Sequence, residues 1–416
     1  VSLSPQLKRY FFSLVATSAV VFSAQSFAGG FQLWEQNAAG IGDYHAGAAA
    51  EADIAATAFY NPAGVTRLKH QQVSFGATLI PVEIEFTGTA SGNPVTNAPG
   101  DTTNIVPNFQ YALPFANRWA FAFGVTTPFG LSTHYPDVQY VNFLATKTQL
   151  QTINFNPSIA YAFNRYVSLG VGFDELYGSA IYNADVFLPI KTDLSGWSEG
   201  YNAGLLVQFT PETRMGLSYR SAITVLAKGT SQSNNGSPYE TTATARFPLP
   251  PTSILSIYHD INSRFTVMGS AFYTQWSVFR QLIVRNMATP ILPGVVALNE
   301  NYRNTWNLSV GGKYKINHVI SLEAGFGHDD TPTRSGYRDI RLPDNSRYAA
   351  SLGVNIEPKP GFIWSMGWTH FFIPTTPIDN TKSNDASQTT TLPPTISIGN
   401  TKANINVIGI QFSCDI

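Results

Sequence analysis

Along most of the chain, hydrophobic side chains return at every second position. Val73, Phe75, Ala77 and Leu79 alternate with Ser74, Gly76 and Thr78, and Val167, Leu169, Val171 and Phe173 alternate with Ser168, Gly170, Gly172 and Asp174. Met215, Leu217 and Tyr219 interleave with Gly216, Ser218 and Arg220, as Trp306, Leu308, Val310 and Tyr314 do with Asn307, Ser309, Gly311 and Lys313. Period two is the signature of a strand with two unlike faces. About fourteen such segments follow one another, near 71–86, 104–116, 117–130, 149–163, 166–183, 198–210, 213–228, 241–261, 263–285, 302–316, 318–329, 346–357, 361–373 and 402–416. The charges within them, Asp174, Arg220, Lys313 and Glu323, fall on the small or polar parity.

Two all-β architectures share this pattern. In a soluble sandwich the apolar parity forms the core; in a transmembrane barrel it faces lipid and the polar parity faces the lumen. An even strand count with connections that alternate short and long favours the antiparallel barrel. Asn164-Arg165, Pro211-Glu212 and Asn317-His318 suit periplasmic turns, while 88–103, 184–197, 229–240, 286–301, 330–345 and 374–401 suit extracellular loops. Trp119, Tyr166, Trp276, Trp364 and Trp368 suit interfacial girdles. The last strand carries Ile408, Ile410, Phe412, Cys414 and Ile416 on one face, ending on isoleucine rather than an aromatic residue.

Composition sharpens the choice. Charged residues are 12% of the chain, about half the share usual in soluble domains, aromatic residues are 13%, and the mean hydropathy is -0.04, too low for a bundle of membrane helices. A net charge of -1 without a basic cluster gives no case for nucleic acid. The single cysteine, Cys414, reads as a wall residue. Lys8 and Arg9, the apolar run Tyr10–Val21 and Ser26-Phe27-Ala28 have the anatomy of a secretory signal peptide. The expected division is therefore a signal peptide over 1–28, an N-terminal segment over 29–70 and a barrel over 71–416. None of the seven histidines stands beside a nucleophile motif, and no Walker loop, dinucleotide fingerprint or HExxH is present. The chain is read as a non-enzyme needing no cofactor and no metal.

Residues 29–70 do not alternate and are rich in Ala and Gly, as in Ala46-Gly47-Ala48-Ala49-Ala50, before a fixed turn at Asn61-Pro62-Ala63. Either a periplasmic arm or a plug inside the lumen fits this composition. Pro128-Phe129-Gly130 places two strand breakers in the third strand, marking either a bulge in it or the start of a loop. Val141, Phe143, Leu144 and Leu150, in the segment Val138–Leu150, are candidate groove residues for an apolar ligand, or loop residues packed on one another. Arg220, Arg303 and Lys313 are cations available to a carboxylate, or partners for Asp174, Glu199 or Glu323.

Beyond these patterns, the chain resembles the long-chain fatty-acid and aromatic-hydrocarbon transporters of the outer membrane, the FadL/TodX type. The resemblance runs in order through Gly30-Phe31-Gln32-Leu33, Asn61-Pro62-Ala63, Tyr219-Arg220-Ser221, Trp276-Ser277-Val278-Phe279, Asp329-Asp330-Thr331-Pro332 and Leu342-Pro343-Asp344-Asn345-Ser346-Arg347. It implies a fourteen-stranded antiparallel barrel plugged by an N-terminal hatch that includes Gly30, Phe31, Asn61, Pro62 and Ala63. It also implies passive uptake by a monomer: capture of a hydrophobic molecule in an extracellular groove, then lateral exit at a kinked third strand facing the Asn-Pro-Ala turn, here Pro128, Phe129 and Gly130. The basic residues associated with carboxylate contact in fatty-acid members have no matching basic positions, which leaves fatty acid and hydrocarbon both open. An open aqueous porin and a surface adhesin are the alternatives.

Overall fold

The apolar parity points outward. In the computed structural model, which describes residues 29–135, 140–185, 188–234, 238–289, 294–383 and 396–416, Phe75, Leu169, Val171, Leu217, Leu308 and Val310 are exposed while Ser74, Ser168, Asp174, Ser218 and Asn307 are buried. A soluble sandwich would show the reverse. The exposed parity meets lipid, and the polar one fills a lumen. The expected signal peptide lies outside the described residues.

The described strands form fourteen antiparallel staves that close on themselves. β1 (Gln72–Ala90) turns back through β2 (Asn93–Pro99), and pairs with β3 (Thr102–Phe115) on one side and with the last strand on the other. Stave 3 consists of β4 (Trp119–Thr126) and β5 (Gly130–His134); staves 4 to 6 are β6 (Lys147–Ala162), β7 (Val167–Asp185) and β8 (Pro189–Gln208). Staves 7 to 10 are each interrupted: β9 (Thr213–Arg220) with β10 (Ile223–Asn234), β11 (Pro238–Leu249) with β12 (Thr252–Asp260), β13 (Phe265–Thr274) with β14 (Gln281–Met287), and β15 (Gly294–Asn299) with β16 (Thr305–Lys315). β17 (Ile320–Asp329), β18 (Arg347–Lys359), β19 (Phe362–Phe372) and β21 (Ser397–Asp415) complete the wall, and β20 (Thr376–Asp379) pairs along the outer part of β21. Closure satisfies the backbone groups that lipid cannot.

Three expectations need correction. Much of the sequence read as loop is strand: β7 and β8 pair as far as Asp185↔Pro189, β10 and β11 as far as Asn234↔Pro238, and β2 lies within 88–103. Beyond the membrane the inward face of these hairpins stays buried, as at Ile190, Thr192 and Leu194, while the outward face meets water instead of lipid and becomes polar, as at Lys191 and Asp193, so the apolar outer parity is lost although the backbone ladder continues. The stretch 330–345 does the opposite and folds inward, with Arg338–Asp344 buried. Trp276 is fully buried rather than part of a girdle, whereas Trp119, Tyr166, Trp364 and Trp368 are exposed as expected.

Residues 29–70 fill the lumen. A short helix α1 (Ala38–Gly42), a second, α2 (Thr57–Tyr60), and a 3-10 helix, Pro62–Arg67, are joined by tight turns, and nearly every residue from Gly29 to Val65 is buried. Their small side chains follow from the space. A Cβ on Gly367 of β19 would stand 2.6 Å from the Ala38 carbonyl oxygen, and one on Gly409 of β21 would stand 3.1 Å from the Ala38 Cβ. Of the two readings of this segment, the geometry is that of a plug.

Candidate functional site

The lumen holds an apolar cavity with about 720 Å³ of non-atom space, part of it open to solvent, lined by Phe31, Leu131, Leu150, Ala180, Leu194, Phe247, Phe279 and Leu282 among others. One end is polar. There Arg341 donates from Nε to Asp339 Oδ2 at 2.7 Å and from Nη1 to the Tyr182 hydroxyl at 3.0 Å, with a further Nη2 contact to Asp339. Enclosure in this end, reinforced by Asp339, pushes the Glu300 carboxyl up to about 8, and Arg341 offsets only part of that. The polar end thus holds an ion pair beside an acid whose ionisation is disfavoured. Such a cavity suits a molecule that is apolar over most of its length.

Its floor is aromatic and is built by two staves that buckle inward. The Phe31 ring lies 4.5 Å from Trp276, 5.4 Å from Phe279 and 6.2 Å from Phe129 between centroids. Trp276 and Phe279 arrive on a 3-10 turn between β13 and β14. Phe129 arrives on the interruption between β4 and β5, where β4 has paired with β3 up to Phe109↔Val125 and β5 pairs with β6. Pro128-Phe129-Gly130 is therefore a break within the stave, not the start of a loop. The plug takes over the missing ladder. Leu33 N donates to Pro128 O at 2.8 Å, Gly130 N to Phe31 O at 2.9 Å, Gln36 Nε2 to Thr127 O at 2.8 Å and Thr127 N to Gln36 Oε1 at 2.9 Å. A primary amide offers a donor and an acceptor side by side, so Gln36 pairs with Thr127 as a neighbouring strand would. Gly30 must be glycine: its φ is +73°, and a Cβ would lie 2.8 Å from the Trp276 ring.

Buried charges anchor the start of the plug. Asp329 Oδ2 accepts from Gly29 N at 2.7 Å and Asp344 Oδ2 from Gly30 N at 3.0 Å. Arg347 holds both acids in place, 2.6 Å from Asp329 and 3.7 Å from Asp344. The motifs around Asp329 and Asp344 thus position the plug's first residues. Asn61-Pro62-Ala63 lies near the kink but is held by other partners. Asn61 Nδ2 donates to Ala49 O at 2.7 Å and Leu205 O at 3.0 Å, and the turn packs on Gly170 and Gly204 of staves 5 and 6. Pro62 shares a small cavity with Pro128 and Phe129, but it is Gln36 that bonds the kink.

Of the candidate ligand residues only Leu150 lines this apolar cavity. Val141 and Leu144 belong to a separate apolar cluster with Phe86, Tyr135 and Ile340, and Phe143 is half-buried beside the Tyr140 ring. The first residue of that segment, Val138, lies outside the described residues. Val141–Phe143 form a 3-10 turn, and Leu150 is already in β6. The three cations are bound to protein partners. Arg220 pairs with Asp174 and donates to Phe59 O at 3.0 Å; Lys313 pairs with Glu51, and with Glu323 at 3.0 Å; Arg303 donates to Thr331 O at 2.9 Å. Sequence reasoning missed Arg341, Asp339 and Glu300, which lie in stretches read as solvated loops. The one available sign was Ile340 and Leu342 set between those charges.

A lipid-facing barrel of fourteen staves with a filled lumen and an apolar cavity is an outer-membrane transport barrel. The family described as outer membrane protein transport protein (OMPP1/FadL/TodX) matches residues 19–415, and the chain belongs to it. Over 391 residues it is 28% identical to the long-chain fatty acid transport protein of Escherichia coli O6:H1, covering 82% of this chain and 86% of that one. Over 420 residues it is 27% identical to outer membrane protein P1 of Haemophilus influenzae, covering 88% and 90%. The crystal structure of a Pseudomonas aeruginosa FadL homologue matches with a TM-score of 0.84 at 23% identity, over 93% of this chain and 99% of that one. The toluene transporter TbuX of Ralstonia pickettii matches at 0.67 and 17%, over 92% and 100%. At these identities the structural likeness bears on the fold.

Proposed function

We propose that this protein mediates passive uptake of hydrophobic small molecules, long-chain fatty acids or aromatic hydrocarbons, across the outer membrane. The observation that carries the reading is the cavity: apolar on all sides but one, with the plug's Phe31 in its floor. A molecule settling on Phe31 presses on the segment Phe31–Gln36, whose bonds hold the stave-3 kink. Displacing that segment frees the edge at Pro128–Gly130 beside the lipid, and the molecule leaves sideways. Asn61-Pro62-Ala63 braces the plug against staves 5 and 6. A single chain closes the barrel, so the route needs only a monomer. The filled lumen argues against an open aqueous pore.

The test is uptake into vesicles by the parent and by Ala180→Trp and Leu131→Trp, which fill the cavity from two walls. Both variants are expected to assemble normally and to slow entry of a fatty acid or an aromatic hydrocarbon about tenfold. Sugar passage and steady ionic conductance by the parent, with neither hydrophobic compound carried, would overturn the proposal.

A further inference from the structure

Staves 8 and 9 separate just above the membrane. β12 and β13 pair as far as Thr252↔Thr274, and β11 and β14 meet again only at Ala245↔Val284 and Thr244↔Arg285. Between those pairs stave 8 takes seven residue steps and stave 9 takes ten, looping inward to bring Trp276 and Phe279 to Phe31. The segment from Arg246 to Leu249 keeps its ladder to β10. On the other side Gln275 N donates to Pro251 O at 3.1 Å, at the lower end of the gap. Pro248 stands opposite Thr224 in the β10 ladder. A proline fits there only with its nitrogen turned to the other neighbour, so its missing donor faces the gap, and Pro250 and Pro251 follow it.

The height of the gap can be read from the wall. β13 has 10 residues, enough to cross the hydrocarbon layer, and the half-exposed Tyr273 ring lies 4.7 Å from exposed Trp306 as an outer girdle directly below. The opening therefore sits among the lipid headgroups. On its lumen side Phe247, Phe279 and Leu282 line the cavity, and Leu282 shares its direction with Val284 yet is only half-buried. Outside it Lys228, Arg246, Arg280 and Arg285 are exposed, with Lys228, Thr244 and Arg285 in one row across three staves. None of these four cations takes part in an ion pair among the described residues. Exposed Leu226 and Val278 stand beside them.

We infer that this gap is a second opening of the cavity, an inlet at headgroup level where the basic rim gathers a long-chain carboxylate and the tail passes between Phe247 and Leu282. The inference rests on the uptake reading and narrows its substrate. Four unpaired cations raise the local concentration of an anionic amphiphile and do nothing for a neutral hydrocarbon. The two openings then differ in role: one faces the polar zone with cations, and the other, at Pro128–Gly130, has no such rim among the described residues.

The test closes the gap after assembly. In a Cys414→Ser background, Pro248→Cys and Val278→Cys are bridged by a short bis-thiosulfonate, and entry of oleate and of toluene into phospholipid vesicles is measured before bridging, after it, and after reduction. Bridging is expected to slow oleate about tenfold, and reduction to restore it. A companion variant, Arg246→Gln with Arg280→Gln and Arg285→Gln, is expected to slow oleate about threefold and flatten its salt dependence, with toluene unchanged. Oleate entry unaffected by the bridge overturns the inlet. Oleate entry and salt dependence unaffected in the companion variant overturn the carboxylate assignment. An unbridged parent that carries neither compound overturns the uptake reading, and the inlet with it.

Discussion

Replacing Gln36 with methionine isolates the contact that joins the plug to the kinked stave. In the parent, the Gln36 amide accepts from Thr127 N at 2.9 Å and donates to Thr127 O at 2.8 Å, with Gln36 fully buried and Thr127 3% exposed. Methionine keeps the length and bulk of the side chain but can neither donate nor accept strongly, so the Thr127 N–H and C=O both lose their partner. Each buried polar group left unpaired costs about 1–3 kcal/mol. The kink borders the small cavity shared by Gln32, Trp34 and Pro128, where water can relieve part of that cost, so the lower end applies, about 2 kcal/mol for the pair. This corresponds to about a thirtyfold rise in the local opening equilibrium. Hydrogen exchange followed by mass spectrometry should show that loss of protection in peptides spanning Phe31–Gln36 and Val125–Gly130, with β17 and β18 unchanged. Exchange at Thr127 within about threefold of the parent would refute the claim that Gln36 stands in for a strand.

Arg220→Met is expected to destabilise the barrel by about 3 kcal/mol in urea, because it leaves the buried Asp174 carboxylate with only the Asn154 and Asn202 amides; slower uptake at unchanged stability would instead make Arg220 a ligand cation. Gly204→Ala places a Cβ where the Asn61 Oδ1 lies 1.9 Å away, so the Asn-Pro-Ala turn must move. Faster exchange over Thr57–Arg67 in an intact barrel is expected, and an unmoved turn in a structure of the variant would refute the fit. Glu300 titrates at about 8 in the fold, above the ordinary carboxyl value, so between roughly pH 4.5 and 8 the folded chain holds a proton the unfolded chain has released, and its stability falls as pH rises. Melting of the parent minus that of Glu300→Gln should decline across this window; a flat difference would place Glu300 in water.

What the sequence shows and what it hides divide along physical lines. Alternation is legible wherever one face meets lipid and the other water, which is why Phe75, Leu217 and Val310 gave their strands and their faces directly. Where the outward face meets water instead of lipid, as near Asp185↔Pro189, the backbone still pairs and one face stays buried, but the apolar outer parity is gone. The small residues of 29–70 disclosed a confined segment, and Pro128 with Gly130 disclosed a break, because both act through backbone and volume. The cavity was not legible. Its polar end joins Tyr182 of β7 to Arg341, 159 positions away, and nothing local in either segment marks the other. The cations that did stand out, Arg220 and Lys313, stood out by being on the lumen parity, and there the buried acids of the wall and plug claim them.

The plug is held in a way that bears on how it can move. Between residues 29–70 and the barrel there are two backbone-to-backbone hydrogen bonds among the described residues, Leu33 N to Pro128 O and Gly130 N to Phe31 O, both in stave 3. Elsewhere the plug is tied through side chains, by Arg347 with Asp329 and Asp344 near its start and by Lys313 with Glu51 further along. Apart from the gap between staves 8 and 9, the other staves complete their ladders with one another, and a shift of the plug leaves those ladders whole. Stave 3 alone has lent part of its ladder to the plug, so a shift there leaves backbone groups unpaired beside lipid. In the proposed route, that cost ties the opening of the kink to the position of Phe31, the plug residue that lines the cavity. Under that proposal, a ligand that favours the shifted position of Phe31 moves this equilibrium only by its difference in affinity for the two positions, so the contact between ligand and Phe31 would set the gate.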